Sequence, residues 1–202
     1  MGALPALRYV PWSMQPLRMR RRVVTTHLEL TDPAQLLPAG PPRRPYELRR
    51  AERPSPEFSR FLYRAVGGDW YWLGRLDWTK ARWQAWLDRP QLQTWVAYVE
   101  GTPAGYGELE AQAGGDVEIA YFGLLPAFVG RGMGGALLTD VVQVAWAMGA
   151  QRVWLHTCDL DHPRALANYQ ARGFRVFKVV EGEETLPARS PGPWRGAYDN
   201  MG

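Results

Sequence analysis

Four glycines fall within six residues, Gly130, Gly132, Gly134 and Gly135. They stand between the β-like run Val117–Leu124 and a stretch in which Leu137, Leu138, Val141, Val142, Ala145 and Met148 recur at helical spacing. A strand that turns through glycines into a helix lets a ligand approach the backbone with no β-carbon in the way. The first helical turn adds unpaired N–H groups and a partial positive charge, so the junction suits an anion such as a phosphate. Tight packing of the turn is the plainer alternative. Two well-known phosphate loops are excluded. No Lys-Ser/Thr follows the glycines, and the loop does not follow the chain's first strand with an acid about 20 residues on, as a dinucleotide fold requires.

The rest of the chain fixes what surrounds this junction. Thr25–Leu30 and Tyr46–Arg50 read as short strands. Ser55 with Pro56 opens a helix through Phe58, Phe61, Leu62 and Ala65 that stops at Gly67-Gly68, and Thr79 opens another through Trp83, Trp86 and Leu87, closed by Pro90. Trp95–Val99 and Ala104–Leu109 form a hairpin about Glu100–Pro103, and Gly114-Gly115-Asp116 turns into Val117–Leu124. Beyond the glycines come a strand at Arg152–Thr157, a helix at Pro163–Arg172 and a strand at Phe174–Val180. Hairpins followed by strand–helix–strand–helix–strand predict an α/β (α+β) fold with a mixed, mostly antiparallel sheet of six to seven strands and about four helices.

With 202 residues and 46% hydrophobic side chains, the chain supports one core. It is divided into a disordered basic arm at 1–22, a domain at 23–181 and a flexible tail at 182–202. The net charge of +4 misleads: residues 1–22 hold five arginines and no acid, which leaves 19 basic against 20 acidic side chains, or −1, for the remainder. A nucleic-acid binder carries its basic patch on the folded domain, so no nucleic-acid partner is expected. No stretch approaches the roughly 18 apolar residues of a spanning helix, so no membrane partner is expected either. A single cysteine, Cys158, excludes an intramolecular disulfide and fits a cytoplasmic location, and no metal site is expected.

The motifs then become specific. Val129-Gly130-Arg131-Gly132-Met133-Gly134 is similar to Gln/Arg-x-x-Gly-x-Gly/Ala, with Val129 departing at the first position. His162 to Phe174 is similar to Asn-x-x-Ala-x-x-x-Tyr-x-x-x-Gly-Phe, with His162 in place of Asn. In both motifs and their spacing the chain resembles the GNAT superfamily of acyl-CoA-dependent N-acetyltransferases, in an uncharacterised bacterial branch. The resemblance implies acetyl-CoA as co-substrate, held where the fourth and fifth strands, Val117–Leu124 and Arg152–Thr157, splay apart. The pantetheine arm would pair with the backbone of Phe122, Gly123 and Leu124, with Gly123 marking a bulge. The pyrophosphate would rest on Gly130, Arg131, Gly132, Met133, Gly134 and Gly135, and His162 would cap the following helix or bond the pantetheine amide. The implied reaction moves an acetyl group directly to a primary amine of a small molecule or peptide. The different-class alternative is a non-catalytic acyl-CoA-binding module. A homodimer is also implied as possible.

Acetyl transfer needs a base for an ammonium with a pKa near 10.4, a donor for the oxyanion and an acid for the leaving thiolate. The resemblance makes Tyr169 the candidate acid and Glu118 the candidate base, with Glu108 and Glu110 competing for the latter role. Cys158 reads as a small buried hydrophobe rather than a nucleophile. Trp70, Tyr71, Trp72, Trp78, Trp83 and Trp86 cluster within 17 residues. They either pack helices on the sheet or wall an acceptor pocket, for which Trp70, Trp72 and Trp78 are the candidates, with Asp69, Asp77 and Arg75 nearby.

Overall fold

The computed structural model describes residues 18–53, 55–194 and 197. Seven strands join one sheet: β1 (Arg18–Leu30), β2 (Glu47–Arg50), β3 (Leu92–Val99), β4 (Thr102–Ala111), β5 (Asp116–Leu124), β6 (Arg152–Cys158) and β7 (Arg175–Pro187). Their order across the sheet is β2-β3-β4-β5-β6-β1-β7. Neighbours run antiparallel except β5 and β6. Four α-helices, α1 (Pro56–Gly67), α2 (Lys80–Leu87), α3 (Met133–Ala147) and α4 (Ala165–Ala171), flank it. The expected fold class is therefore the observed one.

The helical stripe read from the sequence is the core. Leu137, Leu138, Val141, Val142 and Ala145 of α3 pack on Leu109, Val117, Ile119, Val153 and Leu155 of the strands beneath. At about 25 cal/mol per Å² of apolar surface, each such fully buried side chain is worth roughly 1.5–3 kcal/mol. On the opposite face α1 lays Leu62 and Val66 against Val96 and Tyr106. Both helices begin as expected: Ser55 Oγ accepts the Phe58 N–H and Thr79 Oγ1 accepts the Arg82 N–H, filling donors that the first turn leaves open.

Three expectations need correction. Residues 18–22 are not arm but ladder, since β1 pairs with β7 from Arg18↔Pro187 to Glu29↔Arg175, and residues 182–187 are likewise strand rather than tail. Arg20 with Glu183 and Arg22 with Glu181 form ion pairs across this ribbon. The remainder of the expected arm, 1–17, lies outside the described residues. Residues 188–193 are also anchored: Ser190 Oγ donates to Gly68 O (2.5 Å) and accepts the Tyr71 N–H (3.2 Å), while the Gly192 N–H reaches Gly68 O. The β5 bulge lies at Ala120, where the register passes from Leu109↔Ile119 to Glu108↔Tyr121, and not at Gly123. Gly123 has another reason to be glycine, because a β-carbon there would meet Val66 Cγ1 of α1 at 2.4 Å.

Candidate active site

The ladder between β5 and β6 stops early. It covers Asp116↔Arg152, Val117↔Val153 and Glu118↔Trp154, and past that point the two strands separate. The edge of β5 from Ile119 to Leu124 is thus left without a ladder partner on the β6 side, while β4 pairs with the other edge. This is the splay expected between the fourth and fifth strands. A cleft of about 1010 Å³ opens here, lined by Phe122, Gly123, Leu124, Gly130, Arg131, Gly132, Gly134, Gly135, Tyr169 and His162, among others. It sits at the carboxyl end of a parallel strand pair, the usual ligand position in such sheets.

The glycine loop brings α3 to the cleft with its N-terminus open. Gly132 is the N-cap residue in the left-handed conformation (φ +82°), and no side chain caps the helix. Cations stand near this end, Arg131 in the loop itself and Arg164 and Arg172 beside Gly130 and Gly135, and Arg43 lines the same cleft. The Arg172 guanidinium lies so close that a β-carbon on Gly135 would meet it at 2.4 Å. Arg43, Arg164 and Arg172 were invisible as a group in the sequence, where they are scattered over 130 residues. Met133 contributes only its backbone, because its side chain is buried with Val99 and Ala104.

Tyr169 is 8% exposed and still lines the cleft, its ring edge-on to Phe122 and Phe174. Burial first, and then the Asp161 charge, push its pKa well above the ordinary phenol value, so the hydroxyl keeps its proton. His162 accepts the Arg164 N–H at Nδ1 (3.1 Å) in the turn before α4, but it is not the helix cap that was expected, since the N-cap residue is Arg164 with no side-chain cap bond; Trp70 stands edge-on to its ring. Asp161 caps nothing. Its carboxylate accepts from Trp72 Nε1 (3.3 Å), Thr157 Oγ1 (2.7 Å) and the Cys158 N–H (3.1 Å), tying the end of β6 to the pocket wall. Burial and Asp161 raise the Cys158 thiol to about 11, which argues against a thiolate nucleophile.

The aromatic cluster divides in two. Trp70, Tyr71 and Trp72 line the cleft beside Tyr63 and Tyr121. Trp78 does not: it packs edge-on against Trp83 and Trp86, so its assignment to the acceptor pocket is corrected. What these rings enclose is Arg75, 5% exposed, whose guanidinium lies 4.2 Å from the Tyr121 centroid, 4.3 Å from Trp86 and 4.8 Å from Trp78. Arg75 is paired at 2.8 Å with Glu108, 2% exposed, which also accepts from Trp86 Nε1. Arg75, expected near the aromatic cluster, is therefore buried within it as a prop beneath the pocket wall.

That pairing removes Glu108 from the candidate bases, and Glu110 is held by Arg89 at 2.6 Å. Glu118 also misses the cleft lining. Its side chain is 13% exposed, with one oxygen accepting from Gln112 Nε2 (2.8 Å) and the other 3.4 Å from His156 Nδ1. His156 does line the cleft. Nothing in the sequence singled it out, since its partner stands 38 residues earlier on another strand.

Residues 49–174 match the Acetyltransferase (GNAT) family. An uncharacterised N-acetyltransferase of Mycobacterium tuberculosis is 33% identical over 98 residues, 48% of this chain and 62% of that protein. The match thus spans less than two thirds of that relative. A GCN5-related N-acetyltransferase from Sphaerobacter thermophilus shares the fold at 21% identity with a TM-score of 0.57, over 87% of this chain and 54% of that one. The aminoglycoside N-acetyltransferase AAC(6')-Iy, solved in complex with CoA, shares it at 19% identity with a TM-score of 0.50, over 72% and 96% of the two chains.

Proposed function

The chain belongs to the Acetyltransferase (GNAT) family, and from that premise we propose that it transfers an acetyl group from acetyl-CoA directly to a primary amine of a small molecule or peptide. The observation that carries the reading is the continuity between the unpaired edge of β5 and the uncapped N-terminus of α3. An extended amide-bearing arm ending in a pyrophosphate matches that surface in order: backbone for the arm, helix amides and arginines for the phosphates. The CoA held by the structural relative AAC(6')-Iy supports the same reading. Phe122, Gly123 and Leu124 would pair with the pantetheine amides, and Gly130 to Gly135 with Arg131, Arg164 and Arg172 would bind the phosphates.

Acetyl-CoA supplies an activated thioester carbonyl, and the chain's own groups do the rest. The bulge at Ala120 interrupts the β4–β5 ladder, and a strand amide there would donate to the developing oxyanion. The protonated Tyr169 hydroxyl would give its proton to the departing sulfur. Trp70, Trp72, Tyr63 and Tyr121 give the acceptor end flat apolar walls, while the Asp161 carboxylate is consumed by three protein donors. Those walls suit an amine that carries an aromatic or alkyl group.

Calorimetric titration with acetyl-CoA and a thiol-release assay over an amine panel test the proposal. Binding with CoA release from at least one amine is the expected result. Binding without release from any amine would favour a non-catalytic acyl-CoA-binding module, and absence of binding would defeat both readings.

A further inference from the structure

Resting on the acetyl-transfer reading, we propose that His156 is the base that takes the proton from the acceptor ammonium, with Glu118 as its positioning residue. The inference starts from register. Glu118 stands directly opposite Trp154 at the last rung of the parallel ladder, so strand alternation puts Glu118, Trp154 and His156 on one face of the sheet. His156 is the first β6 residue on that face after the strands part. Its side chain is 46% exposed and lines the cleft, whereas Glu118 lies behind it.

The carboxylate is aimed. Trp154 Nε1 donates to Gln112 Oε1 (3.1 Å), Gln112 Nε2 donates to one Glu118 oxygen (2.8 Å), and the other Glu118 oxygen faces His156 Nδ1 at 3.4 Å. A carboxylate on Nδ1 fixes the proton there and leaves the Nε2 lone pair available to the cleft, as a base requires. An imidazole is also the side chain type best suited to exchanging a proton at neutral pH. The charged or titratable groups facing His156 from neighbouring strands are Glu118 on β5 and His27 on β1, the latter ring 5.6 Å away, with Lys178 of β7 opposite His27. Burial, then His156 and Lys178, hold His27 below the ordinary histidine range, which leaves it a neutral neighbour.

The step balances as follows. His156 Nε2 takes one proton from the ammonium, and the freed nitrogen lone pair forms the C–N bond to the thioester carbonyl while the π pair moves to oxygen. Collapse breaks the C–S bond, and the thiolate takes the Tyr169 proton. The second nitrogen proton is lost as the amide forms and restores Tyr169 through water, and His156 returns its proton to solvent.

The test compares the unaltered chain with His156→Gln, His156→Ala and Glu118→Gln. His156→Gln should lower kcat by about 10²–10⁴ and abolish the acid limb of the pH profile, with acetyl-CoA affinity retained. Imidazole should restore part of the His156→Ala activity. Glu118→Gln should keep the limb but move it to lower pH, because the imidazolium loses its stabilising charge. Nitrogen-15 shifts should show an Nδ1–H tautomer at His156 that Glu118→Gln weakens. Unchanged kcat and pH limb in His156→Gln, or an Nε2–H tautomer in the unaltered chain, would overturn the assignment while acetyl transfer stands. If the unaltered chain binds acetyl-CoA and transfers to no amine, the assignment falls together with the reading beneath it.

Discussion

Gly134 allows the proposed phosphate site to be tested apart from the fold. It is the second residue of α3, and a β-carbon there would meet nothing nearer than Leu124 Cδ1 at 3.8 Å and Asn168 Nδ2 at 3.9 Å. The protein therefore has room for alanine. Gly134→Ala should raise stability by up to about 1 kcal/mol through helix propensity, or roughly 2–4 °C in Tm for a domain of this size. The coenzyme should respond in the opposite sense. The added methyl stands over the first-turn amides, and losing one amide–phosphate hydrogen bond costs about 1.5–3 kcal/mol. That is a weakening of roughly 10- to 150-fold. Thermal melts and calorimetric titration with acetyl-CoA on the same preparations read both signs together. A stabilised variant that bound acetyl-CoA within about threefold of the original would refute the placement of the phosphates, since 1.4 kcal/mol is already tenfold. Gly132→Ala is the control: its φ of +82° makes any side chain strained by about 1–2 kcal/mol even in open space.

Other outcomes follow from the same contacts. Tyr169→Phe should cut kcat by about 10²–10⁴ with acetyl-CoA affinity intact, and steady-state kinetics showing an equal kcat would remove it as the acid. Arg75→Leu strands Glu108 and should cost about 3–5 kcal/mol in urea unfolding, whereas Arg75→Leu with Glu108→Leu should cost less; a costlier double variant would contradict the pairing. Ser190→Ala takes the acceptor from the Tyr71 amide and one of two donors from the Gly68 carbonyl, which keeps the Gly192 N–H, at a cost of about 1–3 kcal/mol, and should raise the acceptor KM without changing coenzyme affinity. Cys158 carries a raised pKa, so it is a neutral thiol below about 11 and alkylation should keep accelerating up to that pH; a rate that levels off near 8.5, as for a free cysteine, would contradict its burial.

The sequence showed most clearly what local periodicity encodes. The α3 stripe, the Ser55 and Thr79 caps and the glycine junction are all short-range patterns, and each stands where its spacing put it. The Arg18–Arg22 end of β1 was missed for a physical reason. All five of its residues are exposed, although Leu186 opposite Met19 on β7 is buried, so no hydrophobic alternation in residues 18–22 marks them as strand. The burial of Arg75 was not legible in the sequence, because only the folded chain surrounds it with aromatic rings and brings Glu108 to it. The His156–Glu118 contact and the arginines about α3 are likewise products of topology, joining residues far apart in sequence.

The place of β1 has a consequence for how the chain reaches this structure. Its thirteen residues sit between β6 and β7, with His27 directly across from His156 and Lys178. Among the described strands, β1 thus cannot take its seat until β6 and β7, more than 120 residues later in the chain, have formed, and such long-range closure is slow in folding. Until then a Val-, Thr- and Leu-bearing strand waits unpaired while the β2–β5 meander assembles without it, which makes β1 a segment in need of protection from aggregation during folding.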